Sequence, residues 1–535
     1  MNSRRLLLMA GLLPVCGTAA FADQHPNIIF ILADDLGYGD LTAVNERSKI
    51  ATPNIDRISA EGVTFLDAHS SSSVSTPTRY GVLTGRYNWR SELKWGVMAP
   101  FDDPMIAPGR TTMASMLQQQ GYQTACFGKW HLGMHYETLD GKRPHDNRNE
   151  CNVDFSKEIT GGPADVGFQY FFGVNAPNYP PYCYIENKKT VGTPSVFYPF
   201  RGMDCIGGHG IENWELEDVL PTVIQHTTDY IAQAAKKQQP FFVYLPLTSP
   251  HTPIVPTAEF KGKTGLNKYA DFVKETDAMV GKVLQALKDN GVDENTIVVF
   301  TSDNGCSPNA DFAFLGKKGH DPSYIYRGMK SDLYEGGHRM PCFVRWPERI
   351  KPHTVKQTIC LTDFMATFAE LTGYELADNE AEDSYNILPL LTKKRERKAI
   401  RPATVHHSVK GEFAIRQGKW KLLLANYSGG WSAPTMGHRM DERFQLFDLE
   451  KDPEETTNLY AEHKELAEQM RQLLVKYVME GRSTPGAKQQ NDPIRRAFLR
   501  SAAGHIDVKF YKENGIDFFE NADGLWPQIK PWLKK

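Results

Sequence analysis

Three uninterrupted apolar runs, each of strand length and each ending in polar residues, constrain this chain most. They are "NIIFILADDLGYGD", "PFFVYLPLTSPHTP" and "TIVVFTSDNG", at residues 27–40, 240–253 and 296–305. A strand that is apolar at every position has no solvent face, so these runs predict a sheet covered on both sides. Amphipathic stretches lie between them, such as "KYADFVKETDAMVGKVLQALKDNG", with apolar residues at helical spacing and a glycine stop. Alternating strands and helices predict an α/β fold. Ligands in such folds collect beyond the carboxyl ends of the strands, where Asp34, Asp35, His251, Asp303 and Asn304 fall.

With 535 residues, 41% of them hydrophobic, the chain can bury one large core and add a smaller domain. The texture changes near residue 400. "FAIRQGKWKLLLANY" and "RFQLFDLEKDPEE" read as short strands with turns, and "HKELAEQMRQLLVKYVMEG" reads as a helix. The expected division is a main domain over 23–400 and an α+β domain with an antiparallel sheet over 401–535. The tail beyond Thr484 carries little signal. Formal net charge is -3, which gives no field for nucleic acid or an anionic membrane. Positive charge that holds an anionic substrate must therefore be local.

At the N-terminus, Arg4 and Arg5 precede "LLLMAGLLPV", and "AAFA" offers a small-residue cleavage site ending at Ala22. This is the pattern of a secretory signal peptide over residues 1–22, too short to span a bilayer. A periplasmic or secreted location follows. Cys16 suggests lipoprotein processing, but Val15 is bulky where that processing wants a small residue, so cleavage before Asp23 is preferred. Seven cysteines remain in the mature chain and none forms a CxxC pair, which argues against zinc and thioredoxin-like sites. Export permits disulfides, and Cys183 with Cys205 is the pair to test first.

The strand-end pairs Asp34-Asp35 and Asp303-Asn304 offer only oxygen ligands, which suits Ca²⁺ or Mg²⁺ better than zinc. Asp and Asn also simply terminate strands; two such pairs on one sheet edge favour a metal. Lys129 and His131 stand two apart in "GKWHLG", so on an extended segment both face one side. Lys330 precedes a glycine-rich turn. Lysines, an arginine and histidines near a divalent cation would form a pocket for a small tetrahedral dianion.

The stretch Ser75-Thr76-Pro77-Thr78-Arg79, followed by Leu83-Thr84-Gly85-Arg86, taken alone reads as a surface loop. It resembles the signature of the type I sulfatases, with Thr78 a mild departure from the commonest residue. "TPNIDRISAEGVTF", "GKWHLG", "SPHTP", "TSDNG" and "YEGGHRMP" continue the resemblance in order over most of the chain. The resemblance implies an alkaline-phosphatase-like α/β sandwich: a large, mostly parallel mixed sheet between helices, with a smaller C-terminal domain. It implies that Ser75 is oxidised to formylglycine, and that serine there is served by a radical-type, oxygen-independent maturase. Arg79 would stabilise the modified side chain. Asp34, Asp35, Asp303, Asn304 and residue 75 would ligate Ca²⁺, with Mg²⁺ the alternative. Lys129, Lys330 and His251 would bind sulfate, with His131 as base and His251 as acid toward the leaving alcohol.

The alternatives are a phosphate or phosphonate ester hydrolase of the same superfamily and a non-catalytic glycan-binding protein. "PPYCYIEN" and "FAIRQGKWKLLL" resemble bacterial saccharide sulfatases and the galactosamine-6-sulfatase type, and this resemblance implies a terminal sulfated galactose or N-acetylgalactosamine of a glycosaminoglycan or mucin-type glycan as substrate. His406, His407, Tyr182 and Glu186 are candidate sugar contacts.

Overall fold

The computed structural model describes residues 25–200, 202–392, 398–435, 438–493 and 508–517. The expected leader, residues 1–22, lies outside them. Strands β1 (Asn27–Asp34), β2 (Val63–His69), β3 (Gln123–Lys129), β4 (Tyr170–Val174), β5 (Ile185–Glu186) and β6 (Lys189–Thr190) belong to one large sheet. A separate ribbon pairs β7 (Val196–Tyr198) with β8 (Gly208–Gly210). The large sheet is completed by β9 (Phe241–Pro250), β10 (Thr296–Ser302), β11 (Arg339–Arg345), β12 (His353–Val355) and β13 (Ile359–Cys360). Its order is β12-β2-β11-β10-β1-β9-β3-β4-β5-β6, with β13 also on β2.

The central strands β10, β1, β9, β3 and β4 are parallel neighbours, and β11 runs antiparallel to both β10 and β2. Along β1, Ile28, Phe30 and Leu32 enter one apolar layer, while Ile29, Ile31 and Ala33 enter the other. Strands β9 and β10 alternate in the same way, which is why all three runs are apolar throughout. Helices Val219–Ala234 and Lys268–Asp289 cover one face; Met113–Gln119 and Asp363–Thr372 cover the other. Because β10, β1, β9 and β3 are parallel, their carboxyl ends lie on one edge. Asp303, Asp34, His251 and Lys129 reach that edge together.

The second sheet is antiparallel in the order β14 (Thr404–His407), β15 (Phe413–Gln417), β16 (Trp420–Leu423) and β17 (Gln445–Asp448). One face packs under the helix Lys464–Met479 through Ile415, Leu422, Leu446, Met470 and Leu474. The other, through Ala414, Leu423 and Phe447, packs on Leu333 and Tyr334. The C-terminal sheet thus backs the loop that carries Lys330.

Cys183 and Cys205 are both free, as are the other described cysteines. The pair singled out for testing, Cys183 with Cys205, is thus not joined.

Candidate active site

Ser75 opens a helix, Ser75–Thr84, that is buried along its whole length. Gly85 ends it in left-handed backbone (φ 62°), its N–H donating to the Gly81 carbonyl. A Cβ there would stand 2.9 Å from the Cβ of Ala381, which accounts for glycine in Leu83-Thr84-Gly85-Arg86. The helix points the Ser75 hydroxyl at the strand ends. Its Oγ donates to Asp34 Oδ1 at 3.3 Å and lies 3.5 Å from Asn304 Oδ1.

One turn further, Arg79 is fully buried. It donates to Asp303 Oδ2 at 2.8 Å and to the Lys129 carbonyl at 3.0 Å, and it lies 3.4 Å from Asp34. Lys129 Nζ donates to Asp34 Oδ2 at 2.7 Å, and Lys330 Nζ pairs with Asp35 at 2.8 Å. Asp35, in left-handed backbone, donates its N–H to Asp303 Oδ1, and its Oδ1 accepts from Asn304 Nδ2 at 2.7 Å. Ten residues expected at the site therefore converge: Asp34, Asp35, Ser75, Arg79, Lys129, His131, His251, Asp303, Asn304 and Lys330.

The electrostatics follow from burial. Burial pushes the Asp34 carboxyl up, but Lys129, Arg79 and Lys330 outweigh it and hold it below its ordinary value. Burial and repulsion from Asp34 push Asp303 above its ordinary value. Such a crowd of buried carboxylate oxygens, one of them pushed toward its neutral form, fits a hard divalent cation. Asp34, Asp35, Asp303, Asn304 and residue 75 are the residues placed to hold it.

The two histidines are poised as neutral rings. His131 Nε2–H donates to the Met98 carbonyl at 3.0 Å, which leaves Nδ1 bare, and Nδ1 is buried without a protein partner. Burial, then Lys129 and Arg79, hold its proton affinity well below the ordinary value. His251 Nδ1–H donates to the Thr252 carbonyl, and Nε2 lies 3.8 Å from Asp35. Burial, Lys129 and Lys330 push its proton affinity well down as well. The expected strand geometry for Lys129 and His131 does not hold. Strand β3 stops at Lys129, and His131 reaches the site through left-handed backbone (φ 55°).

A cleft of about 420 Å³ opens over these groups. Ser75, His131, His251 and Lys330, all buried, form its floor. Exposed Asp204, Asn309 and Trp431, with Asn178 and Tyr179, line its walls. None of these five stands out in the sequence; "GGWSAP", an exposed tryptophan in a glycine-rich turn, was the available signal.

The expected sugar contacts lie elsewhere. His406 is buried between the two sheets, its ring stacked 3.8 Å from that of His338. His407 is buried against Trp89 and Asn88. Buried Tyr182 gives its hydroxyl to the Asn178 carbonyl. Glu186 accepts from the Tyr170 hydroxyl at 2.7 Å beside a separate recess of about 970 Å³, which contains none of the ten convergent residues. Alternation along β14 buries both histidines on opposite faces, and the short β5 carries Glu186 to the far end of the sheet, one strand from its edge.

Residues 26–374 match the family profile described as Sulfatase, and residues 329–480 match that of N-sulphoglucosamine sulphohydrolase, C-terminal. The chain is 33% identical over 522 residues to an N-acetylgalactosamine-6-O-sulfatase of Bacteroides thetaiotaomicron, covering 88% of this chain and 98% of the relative. It is 30% identical to human arylsulfatase A, covering 82% and 83%. A solved Bacteroides thetaiotaomicron 6S-sulfatase, from work on the metabolism of multiple glycosaminoglycans, superposes with a TM-score of 0.74. The two share 32% identity over 84% of this chain and 98% of that one.

Proposed function

The chain belongs to the sulfatase family and is a sulfuric ester hydrolase, and from that premise we propose that it desulfates a terminal sulfated galactose or N-acetylgalactosamine. A glycosaminoglycan or mucin-type glycan is the parent. The observation that carries this reading is the Ser75 hydroxyl, aimed between Asp34 and Asn304 on the floor of a cleft lined by Lys330 and two neutral histidines, with Lys129 buried beneath it on Asp34. Likeness to an N-acetylgalactosamine-6-O-sulfatase supports the sugar.

Formylglycine at position 75 would supply a hydrated aldehyde, one hydroxyl attacking sulfur and the other expelling sulfate as the carbonyl re-forms. Ca²⁺, with Mg²⁺ the alternative, would neutralise negative charge on the sulfate and on residue 75. Lys129 and Lys330 bind sulfate oxygens and keep the anion oriented. His131 takes a proton from residue 75 on its bare Nδ1. His251 presents Nε2 to the leaving oxygen, and the arriving anion, with Asp35, raises its proton affinity so that it can donate. Arg79 holds Asp303 and the modified side chain in place. The sugar meets Trp431, Asn178, Tyr179 and Asn309 instead of His406 and Glu186.

Serine at 75 supports a radical-type maturase as partner, and residues 1–22 support export to the periplasm or beyond. The test is mass spectrometry of Ser75 from the native host, where the peptide is expected to be two hydrogens lighter than serine requires. Ser75→Ala is expected to abolish turnover of N-acetylgalactosamine 6-sulfate and to leave Tm within about 2 °C, because the change is small. Fully active protein with unmodified Ser75 overturns the mechanism.

A further inference from the structure

The floor of the cleft attracts an anion, yet its wall carries a carboxylate. Asp204 is exposed and lines the same recess as Ser75, His251 and Lys330. Gly202, Met203 and Asp204 run consecutively through left-handed backbone, with φ of 80°, 49° and 58°. Side chains other than glycine's adopt this conformation only where surrounding contacts enforce it. Those contacts are present. Asp204 Oδ2 accepts from Asn309 Nδ2 at 2.7 Å and from Thr252 Oγ1 at 3.2 Å, and its carbonyl accepts from Asn178 Nδ2 at 2.9 Å. Thr252 Oγ1 in turn lies 3.3 Å from His251 Nδ1. The carboxylate is thus fixed one side chain away from a histidine of the floor.

An amide and a hydroxyl orient this carboxylate, and among the described residues no cation pairs with it. A fixed negative charge works against any anion it faces. With the scissile sulfate on the floor, the substituents of the same sugar face the wall. We propose that Asp204 is a specificity-determining charge filter that disfavours a second sulfate or a carboxylate beside the scissile group, so that the preferred substrate is a terminal sugar bearing one sulfate. This rests on the desulfation reading above. At about 6–8 Å, in an effective dielectric between that of a protein surface and water, one added charge is disfavoured by about 3- to 10-fold. Because the wall is exposed, salt weakens the effect.

The experiment measures binding of N-acetylgalactosamine 6-sulfate and 4,6-disulfate to Ser75→Ala protein, which cannot turn them over, at low and high salt. Turnover of both by the mature enzyme is measured alongside. The expected result is a preference for the monosulfated sugar that shrinks with salt. In an Asp204→Asn background both sugars are expected to bind more tightly, the disulfated one by about 3- to 10-fold more, and the salt dependence of the preference is lost. An unchanged preference in an active Asp204→Asn enzyme overturns the filter alone. Loss of monosulfated binding with the preference intact also overturns it and makes Asp204 a hydroxyl acceptor. If wild-type protein neither binds nor cleaves either sugar, the saccharide reading falls and the filter falls with it.

Discussion

His131 depends on a bond it makes away from the cleft. Donating Nε2–H to the Met98 carbonyl fixes the tautomer, so Nδ1 is free to accept a proton. Because burial, Lys129 and Arg79 hold its proton affinity well below the ordinary histidine value, the base form persists as pH falls. The acidic limb of kcat/KM against pH is therefore expected below pH 6.5, the histidine reference value. Lys129→Met removes one of the depressing charges and is expected to move the limb of the residual activity upward. A limb that stays fixed in that variant excludes His131 as the base. Asp303 makes the complementary case for a cation. Burial and Asp34 raise its proton affinity, and a bound dication reverses that. Chelation is expected to lower Tm, and Ca²⁺ at about 100 times its Kd to restore about 3 kcal/mol. Asp303→Asn is expected to shrink that gain in a thermal-shift titration. Recovery with zinc alone would overturn the hard-cation assignment.

At the scale of elements, β14 shows how a buried strand turns titratable side chains into a stability switch. His407 is held down to about 3 by burial, and burial also pushes His69, His338 and His406 below the ordinary value. The unfolded chain protonates these rings near pH 6.5, while the folded chain does not. Stability is therefore complete above pH 6.5 and is lost as pH falls toward 3. For His407 alone the loss between pH 7 and 5 is about 2 kcal/mol. Urea unfolding of His407→Gln is expected to show a pH slope shallower by one proton, and an unchanged slope would place the titration elsewhere.

The same strand marks the limit of what the sequence discloses. The β1, β9 and β10 runs, and the acidic residues ending them, were legible because double-sided burial leaves a continuous apolar signal. The helix Ser75–Thr84 was not legible from local chemistry, since Pro77 and the hydroxyls favour a loop. Proline is tolerated in a first helical turn, and burial on every side overrides propensity. Trp431 and Asp204 lie in turns, where no periodicity announces a wall, whereas His406 drew attention by residue type although its strand faces the interior.

At the scale of the whole molecule, two sheets build one site, and a buried polar network joins them. Asp67, Glu335 and Arg339 come from the large-sheet domain; Arg416, Lys421 and Glu455 come from the C-terminal part. Arg416 lies 2.6 Å from Asp67, and Lys421 Nζ lies 3.0 Å from Glu335 and 2.7 Å from Glu455. Lys421 is fully buried, so removing its charge leaves Glu455 without its ammonium partner and weakens the neutralisation of Glu335. Burial and Glu335 already push Glu455 up to about 7, a shift that Lys421 restrains. The sheet also supports catalysis mechanically, because Ala414, Leu423 and Phe447 pack on Leu333 and Tyr334, just beyond Lys330. Shared ion pairs and a shared apolar contact leave neither part a complete surface of its own. Wild-type protein is therefore expected to unfold calorimetrically in one transition. Lys421→Met is expected to destabilise by about 3 kcal/mol and to separate a lower transition for the C-terminal sheet. Activity should disappear with that lower transition, since Lys330 then loses its backing. Two resolved transitions in the wild type, or activity that survives the first in Lys421→Met, would mean that the large sheet holds Lys330 without help.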